Sequence, residues 1–128
     1  MAQLFWICLA GAVGTGARYG VGVWAARLFG ASFPYGTLTV NLVGSFLISV
    51  VLVLAVSTEH IGPTLRLALT TGFMGGLTTY SSFNHETLKF LQERAWGPGI
   101  AYMLATGVGC LAAGALGIVV ARRLTGTA

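Results

Sequence analysis

Apolar residues fill four long runs along this 128-residue chain, and short stretches with Gly, Pro or polar residues separate them. A helix needs about 20 mostly apolar residues to cross the hydrocarbon core of a bilayer. The runs therefore predict membrane-spanning helices at about residues 4–29, 37–56, 64–92 and 99–121. Because four spans with short loops nearly exhaust the chain, we expect residues 1–128 to form one four-helix membrane domain.

The third run is too long for a straight spanning helix. Residues 64–92 would extend roughly 43 Å as an α-helix, against a hydrocarbon core of roughly 30 Å. Glycine costs about 1 kcal/mol relative to Ala inside a helix, and β-branched Thr loses rotamer freedom there. We therefore expect a break near Gly75–Thr79, which reads GGLTT. Carbonyls freed at membrane depth are tolerated only where protein buries them or where they line a polar cavity or ion site.

A polar stripe follows one face of the second predicted helix. Its members recur every four residues and are Thr37, Asn41, Ser45 and Ser49. Ser45 and Ser49 fit hydrogen bonds to a neighbouring helix or to their own backbone. The Asn41 amide has two donors and an acceptor that its own helix cannot satisfy, so a pore role and a packing role both stay open for it.

Small residues recur every four positions in the first and last spans, as is typical of helices that pack closely in lipid. The first stripe carries Arg18, a charge that is costly at membrane depth unless it faces protein or water. Its members are Ala10, Gly14, Arg18, Gly22 and Ala26. The last span has a ridge of Ala101, Ala105, Gly109, Ala113, Gly117 and Ala121. One position along, Tyr102 and Thr106 carry hydroxyls that fit either packing or a polar pathway.

Composition and charge agree with a membrane protein. The chain is 55% hydrophobic and 8% charged, with a mean hydropathy of +0.83, whereas a soluble domain carries roughly 25% charged residues. The basic residues form no cluster beyond one Arg pair, so we expect no nucleic-acid partner. Three basic residues are predicted at each membrane face: Arg66, Arg122 and Arg123 on one, and Arg27, Lys89 and Arg94 on the other. The positive-inside rule then favours neither orientation, so the chain could insert both ways.

Catalysis and metal chelation by side chains find no support in the residue pattern. Cys8 and Cys110 lie inside apolar runs and fit small buried side chains. His85 has no ligand partner at metal spacing, because His60 and both cysteines lie in other segments. No nucleophile, base and orienting acid converge, so we do not expect an enzyme.

A small four-helix multidrug or cation antiporter is the main alternative for a chain of this size. Such a transporter needs a membrane-embedded carboxylate in its first span, and the first span here has none. The acids are Glu59, Glu86 and Glu93, of which Glu86 and Glu93 are spaced to pair with Lys89. An inert assembly subunit is disfavoured, because a polar stripe and a broken helix are costly without a polar cavity.

Three motifs carry a resemblance to a known family. They are Gly16-Ala17-Arg18-Tyr19, then PYGTLTVNLVGSF at 34–46, and GFMGGLTTYSSF at 72–83 followed by Glu86. On these residues the chain resembles the Fluc (CrcB) family of fluoride channels over essentially its whole length. It departs from the family pattern at Tyr80, where Phe is typical, at Ser82, where Thr is common, and at Asn84-His85.

The resemblance implies an all-α protein of the bacterial inner (plasma) membrane that exports fluoride passively and so reduces its cytoplasmic toxicity. It implies a homodimer of antiparallel, dual-topology subunits with two pores. A structural Na+ ion, which is not transported, would bind the backbone carbonyls of Gly75 and Thr78. The motif match assigns the fluoride pathway to Asn41, Tyr80, Phe83, Tyr102 and Thr106, with Arg18 near an entrance.

The chemistry of fluoride suits these residue types. The ion is small and strongly hydrated, so a selective pathway has to replace water by several weak positive dipoles. Aromatic ring edges supply such dipoles, and the hydroxyls of Ser81, Ser82 and Thr106 are donors. The Arg18 charge can raise the anion concentration near an entrance.

Overall fold

A computed structural model describes residues 1–58 and 61–126, and this part of the chain is helical with short connections. Three of its helices are long and apolar enough to cross a membrane: α1 (Ala2–Phe29), α2 (Tyr35–Ser57) and α6 (Trp96–Thr125). The predicted third span is interrupted and consists of α3 (Pro63–Leu67), a π-helical segment (Ala68–Met74), α4 (Gly75–Leu77) and α5 (Tyr80–Gln92). The expected all-α multi-pass membrane protein is thus confirmed. Glu59 and His60 lie outside the described residues.

The break in the third span lies within the predicted Gly75–Thr79 segment, at its two threonines. Thr78 (φ −80°, ψ 157°) and Thr79 (φ −154°, ψ 112°) are extended, whereas Gly75 keeps helical angles (φ −62°, ψ −35°). β-Branched residues favour extended backbone, and helical glycines let two helices approach closely. The glycines of this segment are therefore used for packing and the threonines for the break.

The third span packs on α1 through backbone contacts at glycines. A Cβ atom added at Gly14 would meet the Phe73 carbonyl oxygen and lie 3.0 Å from the Leu77 amide nitrogen. A Cβ atom added at Gly76 would meet the Gly11 carbonyl oxygen. The small-residue stripe on α1 is therefore a packing face, as predicted.

We expect Gly14→Ala to lower the free energy of unfolding by about 1–3 kcal/mol, the usual cost of overpacking a tight contact. Gly16→Ala is the matched control on the same helix, because no atom lies within 4 Å of its added Cβ. Thermal unfolding in detergent measures both variants. Equal unfolding temperatures for the two would show that the close approach of α1 and the third span is not rigid.

Within the single chain, the first half of the ridge predicted on α6 is not packed. Ala101 and Ala105 are exposed, whereas Tyr102 and Thr106 are buried on the side that faces α2 and α5. Further along, a Cβ added at Gly117 would meet the Phe46 carbonyl oxygen of α2. A helix turns about 100° per residue, so a strict spacing of four drifts by about 40° per step. The buried face of α6 therefore begins on the stripe with Tyr102 and Thr106 and continues on the stripe with Gly117.

The start of α6 also differs from the prediction. The span predicted from about residue 99 begins at Trp96, and the Gly97-Pro98-Gly99 sequence, whose residue types are common in turns, lies inside its first helical turn. Proline is tolerated there because the first amide groups of a helix have no intrahelical partner. The turn lies just before, where Arg94 has a positive φ of 56°.

Candidate functional site

Asn41 of α2 stabilises the extended backbone at the break in the third span. Its Nδ2 donates to the Thr79 carbonyl oxygen over 3.1 Å, and the Thr79 amide donates to Asn41 Oδ1 over 2.8 Å. Asn41 is only 8% exposed, and buried backbone groups in a membrane protein need such partners. This paired contact, called the amide clamp below, replaces helix bonds that the extended backbone cannot make. Asn41 therefore has the packing role that the sequence left open. Its second amide N–H takes no part in this contact.

Gly44 makes room for the break. It is buried one turn after Asn41, and a Cβ atom there would collide with the Thr78 side-chain methyl. The Asn-x-x-Gly spacing on α2 thus matches the two extended threonines. That spacing was the sequence signal for this contact, although Gly44 was not singled out.

The Thr79 side chain caps α5. Its Oγ1 accepts from the Ser82 amide over 3.2 Å and donates to Ser82 Oγ over 3.0 Å. Ser81 Oγ lies 3.2 Å from the same oxygen. Ser81 and Ser82, predicted as donors to an ion, therefore form a hydroxyl cluster at the start of α5.

An aromatic cluster connects α5 with α6. The ring centroids of Tyr80 and Phe83 are 5.7 Å apart, and those of Phe83 and Tyr102 are 5.3 Å apart. Tyr102 is fully buried and also contacts Phe33 and Phe90, whereas Tyr80 is 78% exposed. Phe83 thus contacts both the exposed Tyr80 ring and the buried Tyr102 ring.

Glu86 ties three helices together, a role that sequence reasoning missed. Its Oε1 accepts from Thr37 Oγ1 over 2.8 Å and its Oε2 accepts from the Tyr102 hydroxyl over 2.6 Å. Its predicted pairing with Lys89 is not made; instead Lys89 Nζ lies 3.9 Å from Glu93 Oε1 in an exposed ion pair, a type that contributes little stability. No spacing could have revealed Glu86, because its partners lie on other helices.

A groove of about 520 Å³ brings together most of the predicted site residues. We call it the central groove; its walls include Asn41, Gly44, Ser45, Gly75, Thr78, Tyr80, Phe83, Thr106 and Cys110. Thr106 is 7% exposed, and its Oγ1 makes no hydrogen bond of normal length and angle within the described part of the chain, its interaction with the Tyr102 side chain being a weak one. A buried hydroxyl without a well-formed hydrogen bond is costly, which indicates a missing ligand or water.

Arg18 does not line the central groove. It is half-buried on α1 and has no ion pair among residues 1–58 and 61–126. A second groove, of about 450 Å³, is lined by residues that include Thr37, His85, Glu86 and Lys89. Tyr102 links the two grooves, because it contacts Phe83 of the first and bonds to Glu86 of the second.

The central groove is lined by residues with neutral donors and aromatic rings. Asn41 and Thr106 carry an amide N–H and a hydroxyl, and the rings are those of Phe83 and Tyr80. Such groups fit a small, weakly held anion.

Comparison with known proteins identifies the family. Residues 5–118 match the family model described as CrcB-like protein, Camphor Resistance (CrcB). A relative from Sorangium cellulosum (strain So ce56), named fluoride-specific ion channel FluC, is 56% identical over 124 residues, which cover 97% of this chain and 98% of the relative. Relatives with the same name from Anaeromyxobacter dehalogenans and Citrifermentans bemidjiense are 48% and 47% identical, covering 98% and 97% of this chain and 100% of each relative. The chain therefore belongs to the CrcB family.

Proposed function

We propose that this protein is a fluoride-selective channel that lets fluoride leave the cell down its electrochemical gradient. The observation that carries the proposal is the central groove, which Asn41, Phe83 and Thr106 line together and where the buried Thr106 hydroxyl makes no hydrogen bond of normal geometry to any residue that the structure describes. Membership in a family whose relatives are named fluoride-specific ion channels supports the same substrate.

The pathway along this groove replaces the water of fluoride by fixed dipoles. The Thr106 hydroxyl and the free N–H of Asn41 donate to the ion, and the positive ring edges of Phe83 and Tyr80 flank it. None of these groups carries a full positive charge, so the ion is held weakly enough to leave. Chloride is larger, so we expect a narrow pathway of this kind to exclude it.

A liposome flux assay tests the function. Purified protein should release fluoride from loaded liposomes with no added energy source, and chloride release should be at least a hundredfold slower. A cationic dye distinguishes the antiporter, which would transport the dye against a proton gradient. Dye transport without fluoride release would overturn the proposal.

We further propose that two copies pair in opposite orientations. The central groove is open on the surface of the single chain, and Tyr80 beside it is 78% exposed. Half-buried polar residues of the groove wall, such as Ser45 and Thr78, should not face lipid, so a second copy related by a two-fold axis closes the groove. The even distribution of basic residues between the two faces supports the opposite orientations.

Opposite orientations predict that a cysteine at an exposed terminal position labels from both sides of the membrane. Ala2→Cys in a chain without Cys8 and Cys110 provides that site, since Ala2 is exposed. An impermeant maleimide should modify about half of the molecules in intact cells and the rest only after permeabilisation. Complete labelling from one side would contradict the antiparallel arrangement.

Na+ at the Gly75 and Thr78 carbonyls is also a proposal. In a continuous helix the Thr79 amide would bond to the Gly75 carbonyl, but here it bonds to Asn41, so the Gly75 carbonyl loses that partner. Gly75 and Thr78 both line the central groove. The described residues contain no group of three or more His, Cys, Asp or Glu that could hold a metal, so neutral backbone oxygens are the ligands that suit an alkali cation here.

Removal of Na+ tests this assignment. We expect fluoride flux to fall at least tenfold and the dimer to dissociate more readily when a large organic cation replaces all Na+, because that cation cannot fit between backbone carbonyls. Flux in liposomes and dimer mass in detergent are measured in parallel, with Na+ restored as the control. Unchanged flux and an unchanged dimer would remove Na+ from the proposal.

A further inference from the structure

Cys110 is a free thiol in the wall of the central groove. It is half-buried on α6, one helical turn after Thr106, and both residues line the same space. The other free cysteine, Cys8, is exposed on α1 and lines neither groove. Cys110 therefore lines the proposed pathway, whereas Cys8 does not.

Thr106 gives an independent indication that this part of the groove takes a ligand. Its hydroxyl oxygen is buried and makes no hydrogen bond of normal geometry among the described residues. In the single chain, before a second copy covers it, the groove that Thr106 and Cys110 share has a volume of about 520 Å³. A reagent that enters the groove thus reaches the sulfur of Cys110.

We propose that Cys110 is a modification site at which soft, thiol-directed electrophiles close the pathway. The inference rests on the proposed function, since it takes the central groove to conduct. For methylmercury chloride, the S–H bond of Cys110 and the Hg–Cl bond break and an S–Hg bond forms. A proton and a chloride ion leave, and no atom is oxidised or reduced. Sulfur is the side-chain ligand that soft metals prefer.

Along α6, the space on either side of Cys110 differs. On the far side of Cys110, a Cβ atom added at Gly114 would lie 3.3 Å from Ser49 Oγ and 3.7 Å from the Ser45 carbonyl oxygen, so α2 fills that space. On the near side, no atom lies within 4 Å of a Cβ added at Gly107. Gly107 and Thr106 line the central groove together with Cys110, so an adduct on the thiol has room on this side.

Two single-cysteine proteins test the proposal. Cys8→Ser keeps only the groove thiol, and Cys110→Ser keeps only the exposed one. Each folded protein is treated with methylmercury chloride in liposomes, the adducts are counted by intact mass, and fluoride flux is divided by the same protein's flux before treatment. We expect one adduct on each, an at least tenfold loss of flux in Cys8→Ser alone, and recovery when excess dithiothreitol removes the mercury.

Three outcomes would overturn the inference: a Cys110 thiol that reacts only after unfolding, an adduct on Cys110 that leaves flux unchanged, or equal inhibition of the Cys110→Ser protein. Failure of the proposed function would give a different experimental result, because untreated protein would then release no fluoride. In that case the adduct count still shows whether the groove thiol can be reached.

Discussion

Asn41→Ala is expected to destabilise the protein by about 2–6 kcal/mol, because each of two buried backbone groups left without a partner costs about 1–3 kcal/mol. Those groups are the amide and the carbonyl of Thr79, which now bond to one side chain. Fluoride flux should fall at least a hundredfold, since the same substitution removes a donor from the central groove. Thermal unfolding in detergent and flux in liposomes measure the two effects separately.

Two further variants make this test specific. Ser49→Ala, on the same polar stripe but outside the central groove and the amide clamp, should keep both stability and flux. Asn41→Asp keeps the acceptor for the Thr79 amide but loses the donor, so it should destabilise less than Asn41→Ala and still lose flux, because a carboxylate repels the anion. An Asn41→Ala protein with an unchanged unfolding temperature would show that the clamp contributes nothing to the fold.

Phe83→Ile is expected to abolish fluoride flux while leaving the dimer intact. Isoleucine keeps apolar bulk beside Tyr102 but has no ring edge to offer an anion. Tyr80→Phe should retain flux, because the ring and its contact with Phe83 remain and only an exposed hydroxyl is lost. Fluoride efflux from liposomes and the mass of the dimer decide the result.

Normal flux in Phe83→Ile would show that the two rings serve packing and that fluoride passes elsewhere. A broken dimer would instead assign Phe83 to the contact between copies. Loss of flux in Tyr80→Phe would make the Tyr80 hydroxyl a donor to the ion, in contrast to family members with Phe at this position.

The sequence predicted the elements well because each depends on local pattern. Runs of apolar residues indicated the spans, and the excess length of 64–92 indicated a break. The exact break could not be read locally, since both GG and TT disfavour a helix. The position of the break is set by Asn41, which lies 38 residues before Thr79 and can pair with the Thr79 backbone only when that backbone is extended.

Other features of the site depend on three-dimensional packing that spacing does not contain. Glu86 receives hydrogen bonds from Thr37 and Tyr102, which lie 49 and 16 residues away. The first half of the α6 ridge, which is not packed within the single chain, shows the same limit, because a stripe at a spacing of four is only approximately one face of a helix. Motif resemblance assigned Asn41, Phe83 and Thr106 to one pathway, and they do line one groove.

The amide clamp has a consequence for biosynthesis. Extended backbone at Thr78 and Thr79 is tolerated in hydrocarbon only when a partner is already beside it. Since chains are made from the amino terminus, α2 and its Asn41 enter the bilayer before the third span is complete. The order of segments along the chain thus places Asn41 in the bilayer before the extended backbone of Thr78 and Thr79 that it stabilises. A circular permutant that begins at α3 would reverse that order and should insert poorly, even though its finished fold could hold every contact described above.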